Sequence, residues 1–228
     1  MRKRRIFITL LLIVVFAVIG LVLWFTRDIE AEDNKLSIPE TISDRIYLID
    51  SEQSTLNFTI ESDIDDIAGS FDIIGHRFEF VADEALSEWR VILVLDIDGT
   101  SIDTGSGVYD FLIETGFNVE RYPIGRFVGE SETTVSELEG VHELSFVGQL
   151  ELRGVIQDYT VLAHINIDGD ILTGSATTQI DVQDFGVDFP SAIASNILEA
   201  NISVIATESD EPIDQPDQMP SPSPEPSE

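Results

Sequence analysis

Residues 143–155, ELSFVGQLELRGV, constrain the fold more than any other stretch. Leu144, Phe146, Gly148, Leu150 and Leu152 share one parity, while Glu143, Ser145, Val147, Gln149 and Glu151 share the other. A two-residue period matches no single face of a helix with 3.6 residues per turn, so the stretch is a half-buried antiparallel strand. Gly148 brings no side chain to the apolar face, which marks a bulge, a bend or room left inside.

The same alternation recurs on both sides of this strand. YLID at 47–50 leads to Leu56, Phe58 and Ile60, then to Ile67, Gly69, Phe71 and Ile73, and Phe78 with Phe80 follow a turn expected at His76-Arg77. Residues 90–98, RVILVLDID, are apolar on both parities over their first half, the mark of a strand covered on both faces or flanked by another segment. Strands resume at 159–167, 171–182 and 197–206, and Gly169 in DGD signals a hairpin. Between residues 104 and 122 the alternation lapses, and VYDFLIETGF predicts a short helix ending near Gly116. Eight or nine strands, each with one apolar face, must close into a barrel or pack sheet on sheet. An eight-stranded barrel has an interior able to hold one small ligand.

The ends are of a different character. The basic residues 1–5, MRKRR, precede residues 6–25, about 20 uncharged and almost wholly apolar positions, enough to cross a hydrocarbon core. The charge asymmetry sets the N-terminus in the cytoplasm and the rest outside it. A cleaved signal peptide is the alternative, but residues after the run offer no small-x-small cleavage site. Residues 26–44 read as a linker and 45–207 as the folded domain. The proline-, serine- and acid-rich residues 208–228 read as a disordered tail.

From residue 28 onward the chain carries seven basic side chains against all 43 acidic ones, a formal charge of −36. Such a surface repels nucleic acid. Lysine occurs only at positions 3 and 35, which suits either simple solubility or surroundings of high salt. Cysteine is absent, removing both a thiol nucleophile and any disulfide staple. His76, His142 and His164 stand in separate segments without metal-ligand spacing. Ser106 in TGSGV lacks the strand-turn-helix setting of a nucleophile elbow, and the aspartates at 65–66, 96, 98, 168 and 170 lack a calcium-loop pattern. No catalytic residue, metal or cofactor is expected.

An ordered set of short motifs resembles the YceI family. It comprises Tyr47-Leu48-Ile49-Asp50 with Phe58, Gly69-Ser70-Phe71, Ser101-Ile102-Asp103-Thr104 with Asp110, and Tyr122-Pro123 with Phe127. Gly148-Gln149-Leu150-Glu151-Leu152-Arg153-Gly154-Val155 follows, then Asp184-Phe185-Gly186-Val187. The resemblance implies an all-β, extended, eight-stranded antiparallel lipocalin-like barrel whose apolar pore binds a polyisoprenoid or similar amphiphile, commonly as a homodimer. The Arg-Asp and His-Leu-Arg groups frequent in members are missing, the counterpart here being Val108-Tyr109-Asp110-Phe111-Leu112. If the barrel closes, the candidate pocket wall is Phe58, Ile60, Phe71, Phe80, Leu93, Leu95, Phe146, Leu150 and Leu152. Each is equally suited to ordinary core packing. The chain then reads as a membrane-anchored lipid-binding protein with no enzymatic activity. The rival is a structural or interaction module whose barrel is filled by side chains.

Overall fold

Alternating apolar residues build nine strands, taken from a computed structural model that describes residue 36 and residues 43–62, 65–83, 87–190 and 194–209. The apolar run 6–25, the basic end, most of the linker and nearly all of the C-terminal tail lie outside the described residues. In chain order the strands are β1 (Arg45–Ile49), β2 (Thr55–Ile60), β3 (Ile67–Asp83), β4 (Glu88–Asp103), β5 (Ile124–Ser131), β6 (Gly140–Leu152), β7 (Val155–Asp168), β8 (Ile171–Asp181) and β9 (Ile197–Glu208). One helix, α1 (Gly107–Phe117), joins β4 to β5, and a 3₁₀ turn (Val182–Phe185) follows β8. Among the described residues no helix is long and apolar enough to cross a membrane.

All neighbouring strands are antiparallel, and pairing of β3 with β4 closes the sheet into a barrel. Nine strands make eight staves because β1 and β2 share one. β1 pairs with Arg77 to Phe80 of β3 and with the end of β9, whereas β2 pairs with Ile67 to Phe71 of β3 and the start of β9. The seam at β1 is fastened by Arg45, whose Nε and Nη2 donate to the two carboxylate oxygens of Glu208 at 2.6 and 2.5 Å. Closure leaves the barrel no free edge along these staves.

One sequence expectation needs correction. His76-Arg77 is not a turn, because β3 runs unbroken past it opposite an equally long β4. Instead the register shifts between Ile73 and Gly75, and Gly75 and His76 adopt φ of 118° and 111°. Such a bulge absorbs an extra residue and redirects a side chain without ending the pairing. The helix ends at Phe117, near Gly116 as expected. Its left-handed terminator is Asn118, at φ 53°, and Gly116 serves close packing, since a Cβ there would lie 3.1 Å from the Phe189 ring.

The expected hairpin at Gly169 forms, with Asp168 opposite Ile171. The β6–β7 hairpin turns on Arg153 and Gly154, at φ 54° and 71°, a pair of left-handed residues that suits the twist of the flanking strands. Residues 91–95 of β4 are buried on both faces, as their sequence predicts. Val91, Leu93 and Leu95 point into the barrel. Ile92 and Val94 point outward into a small cluster with Leu36, Val81 and Val128, so the flanking segment supplies the outer cover.

Candidate functional site

The barrel interior is filled unevenly. Toward one end, called here the upper end, Tyr47, Phe78, Phe80 and Phe146 are each at most 2% exposed. Tyr47 meets Phe80 edge-on at 5.6 Å between ring centroids, and Phe78 meets Phe146 at 6.4 Å. These four rings form an aromatic plug, and Phe78 at its base also faces the cavity described next.

Below Phe78 the wall changes. Gly174, Ala176, Ala163 and Ala200, contributed by β7, β8 and β9, occupy inward positions where larger side chains would meet those of β4, β5 and β6. Leu93, Leu95, Phe127 and Leu150 stand on the opposite wall, and what remains between them is a cavity of about 70 Å³. Every one of the eight staves contributes to it, so it lies along the barrel axis. Its accessible wall is wholly apolar. Tyr159 supplies a ring to this wall and keeps its hydroxyl occupied, in contact with Thr178 Oγ1 at 3.1 Å and donating to the Gln179 carbonyl. Burial raises the Tyr159 pKa above its ordinary value, with the Thr178 hydrogen bond opposing that rise.

The lower end is closed by a second apolar cluster. Phe58, Ile60 and Ile67 pack there with Ile113 of α1 and with Val182, Val187 and Phe189 of the β8–β9 connection. The Asp184-Phe185-Gly186-Val187 motif forms this cap. Phe185 is buried in the main core, Gly186 turns at φ 73°, and Val187 enters the second cluster. Gln157 Nε2 donates to the Asp184 carbonyl at 2.9 Å and Arg153 Nη1 donates to the Gly186 carbonyl at 2.5 Å, tying the β6–β7 hairpin to the cap.

Leu93, Leu95 and Leu150 of the predicted wall line the cavity. The other predicted residues lie elsewhere in the interior. Phe80 and Phe146 belong to the plug, while Phe58 and Ile60 belong to the lower cluster. Phe71 is half-buried between the two, 5.1 Å from the Phe58 ring, and Leu152 packs at the β6 terminus against the main core. Sequence reasoning missed the small-residue wall and Phe127. Alternation in SATTQI and in the strand from Ala200 carried the needed signal, because inward positions there are unusually small.

Gly148 receives a definite role. A Cβ at that position would stand 2.0 Å from the Val128 carbonyl oxygen and 2.4 Å from Gly129 Cα. The glycine permits close approach of two backbones at the Gly129–Gly148 pair, and the β5–β6 register runs through it without a shift. Neither a bulge nor spare ligand room is found at this position.

The outer face carries the buried charges. Asp96, 3% exposed, receives Arg126 Nε at 2.7 Å and Nη2 at 2.5 Å, and the bulged His76 places Nε2 2.7 Å from the same carboxylate. Burial alone would raise the Asp96 pKa, but hydrogen bonds and charge from Arg126 and His76 outweigh it and hold the pKa below the ordinary value. Nearby, Arg77 Nε donates to Glu79 Oε1 at 2.6 Å, and Ser43 Oγ donates to Glu79 Oε2 at 2.5 Å. These groups point away from the bore and brace β3, β4 and β5 from outside. Among the described residues no cluster of three or more acidic or histidine side chains is arranged to hold a metal ion.

The fold is a closed eight-stave antiparallel barrel with an apolar cavity on its axis and a 3₁₀ cap. Residues 47–207 match the profile of the YceI-like domain, and the chain belongs to that family. Solved structures share the fold. Burkholderia cenocepacia BcnA superposes with a TM-score of 0.54 at 18% identity, covering 70% of this chain and 99% of its own. A polyisoprenoid binding domain from Saccharophagus degradans, implicated in plant cell wall breakdown, gives 0.53 at 14% identity, covering 72% and 98%. A Campylobacter jejuni YceI protein mutant gives 0.50 at 19% identity, covering 80% and 98%. No curated protein sequence matches the chain significantly.

Proposed function

We propose that this protein holds a polyisoprenoid or similar long-chain amphiphile in the barrel, without transforming it, while anchored to a membrane by residues 6–25 with its barrel outside the cytoplasm. The carrying observation is the apolar cavity on the axis of a closed barrel, lined from all eight staves. Apolar burial contributes about 0.8 kcal/mol per CH₂, so each five-carbon isoprene unit adds several times what one neutral hydrogen bond contributes. Affinity therefore follows chain length. The polyisoprenoid-binding name of the Saccharophagus structure and the family membership support this reading.

One observation favours a second reading. At about 70 Å³ the cavity is well below the roughly 300–1,000 Å³ of typical small-molecule sites. A long chain is accommodated only if side chains such as Leu93, Leu95 and Leu150 swing to lengthen the bore. A barrel that keeps them fixed is a structural or interaction module instead. Mass spectrometry of the organic extract of the full chain, purified from membranes, separates the two. A co-purifying prenyl or acyl chain in near-stoichiometric amount supports lipid binding, and an empty extract supports the module.

A further inference from the structure

Both ends of the bore are obstructed. The aromatic plug stands across one, and at the other Phe58, Ile60 and Ile67 pack with Ile113 of α1 and with the β8–β9 connection. A ligand moving along the axis would have to displace side chains that are each at most 2% exposed. The wall offers another route. β7 and β8 pair only from Ala163–Ala176 up to the hairpin at Gly169. Below that fork both continue as strands, each still laddered to its other neighbour, β7 to β6 as far as Val155 and β8 to β9 as far as Asp181. No ladder pair joins residues 155–162 to residues 177–181.

The sequence accounts for the fork. Continued downward, the register would set Asp158 against Asp181, and like charges directly opposite each other destabilise a strand pair. Outer-face side chains turn to the intact ladders instead. Gln149 Nε2 donates to Asp158 Oδ1 at 3.4 Å on the β6 side, and Thr177 Oγ1 donates to Asn201 Oδ1 at 2.8 Å on the β9 side. Among the described residues, the hydrogen bonds that cross the split come from Tyr159. Strand side chains stand roughly perpendicular to their sheet, so in a complete ladder a tyrosine hydroxyl does not reach the neighbouring main chain. Here it donates to the Gln179 carbonyl and receives from Thr178 Oγ1 at 3.1 Å, which sets the ring between the strands. Tyr159, Ala176, Thr178 and Ile180 line the cavity yet are partly exposed, whereas Leu95, Phe127 and Leu150 across the bore are buried. The split is therefore continuous with the cavity, and one side chain bridges it.

Resting on the lipid-binding reading, we propose that the β7–β8 split is the lateral entry to the bore and that Tyr159 is its latch. A single prenyl or acyl chain passes between the two strands when the Tyr159 hydroxyl leaves the Gln179 carbonyl, and the ring closes behind it. Opening breaks no ladder pair, because β7 keeps β6 and β8 keeps β9 throughout. The carbonyl and hydroxyl released at the split are met by water, so neither is left buried without a partner.

Absence of cysteine makes the test clean. In the delipidated full chain, Thr160→Cys with Gln179→Cys places one thiol on each side of the split, both at exposed positions. Asn166→Cys with Thr173→Cys does the same across the paired part of the same two strands. Each double variant is joined by a short bismaleimide, verified by mass, and compared with itself before joining in stopped-flow uptake of a fluorescent prenyl-chain probe. Joining 160 to 179 abolishes uptake on the time scale on which the unjoined protein saturates, and joining 166 to 173 leaves it unchanged. Unchanged uptake after joining 160 to 179 overturns the lateral entry and leaves lipid binding standing, whereas no uptake by the wild type overturns both. Tyr159→Phe keeps the ring and removes the latch. It speeds uptake and release together, by about two- to tenfold, the factor given by the net loss of one neutral hydrogen bond. A change in release alone would make Tyr159 an ordinary wall contact and overturn its role as latch.

Discussion

The two halves of the barrel interior obey the same alternation and reach opposite outcomes. In the upper half, inward positions hold Tyr47, Phe78, Phe80 and Phe146, which meet across the axis and fill it. In the lower half, β7, β8 and β9 turn Ala163, Gly174, Ala176 and Ala200 inward, and the leucines opposite them are too short to close the gap. Which face a residue takes is set by strand parity, but whether that face is a core or a bore is set by the summed side-chain volume at each level.

The largest expected effect breaks the plug. Phe146→Ala should cost about 4 kcal/mol in denaturant unfolding, because the close-packed rings cannot collapse into the space left. Leu150→Ala, beside an existing void, should cost about 2 kcal/mol and enlarge the bore. Equal losses would mean that the two halves are packed alike.

Gly148→Ala comes next, at about 3 kcal/mol, since the added methyl meets backbone atoms of β5 rather than movable side chains. Lipid uptake per folded molecule should be unchanged, which distinguishes a backbone contact from a ligand path.

Asp96 tests the outer brace against both interior halves. Asp96→Asn should cost about 2 kcal/mol at neutral pH through weakened hydrogen bonds to Arg126 and His76. Its folded pKa is held below the ordinary value, so the stabilisation is present above the unfolded carboxylate pKa of about 4 and is lost as pH falls through the still lower folded value. Denaturant unfolding across this acidic range should show a steeper decline in the wild type than in Asp96→Asn.

The smallest effect on stability belongs to the bore. Ala176→Leu adds volume where volume is missing and should alter stability by less than about 1 kcal/mol. The same substitution should sharply reduce lipid uptake. A substitution nearly silent for folding and severe for binding is the signature that a merely unfilled core would not give.

Much of this fold was legible in the sequence because alternation is a local property. The strand from Glu143, the doubly covered Val91–Leu95 stretch and the Gly169 hairpin each follow from neighbouring residues alone. The bulge at His76 was not legible, since a paired interruption and a turn share the same loss of period. The site was legible only in part. Leu93, Leu95 and Leu150 reached the cavity, but parity could not tell the level of the bore from that of the plug, where Phe80 and Phe146 lie, or from the lower cluster, where Phe58 and Ile60 lie. That level depends on strand stagger and on which staves bring small residues to the same height, both properties of the closed barrel.

The central claim is that the lower half of the barrel is a lipid path. Delipidated full-length wild type and Ala176→Leu, equally folded by thermal unfolding, can be titrated with a fluorescent prenyl-chain probe. The account predicts saturable, near-stoichiometric uptake by the wild type, strengthening as the chain lengthens, and little uptake by Ala176→Leu. Equal uptake by both proteins, or none by the wild type, would contradict it.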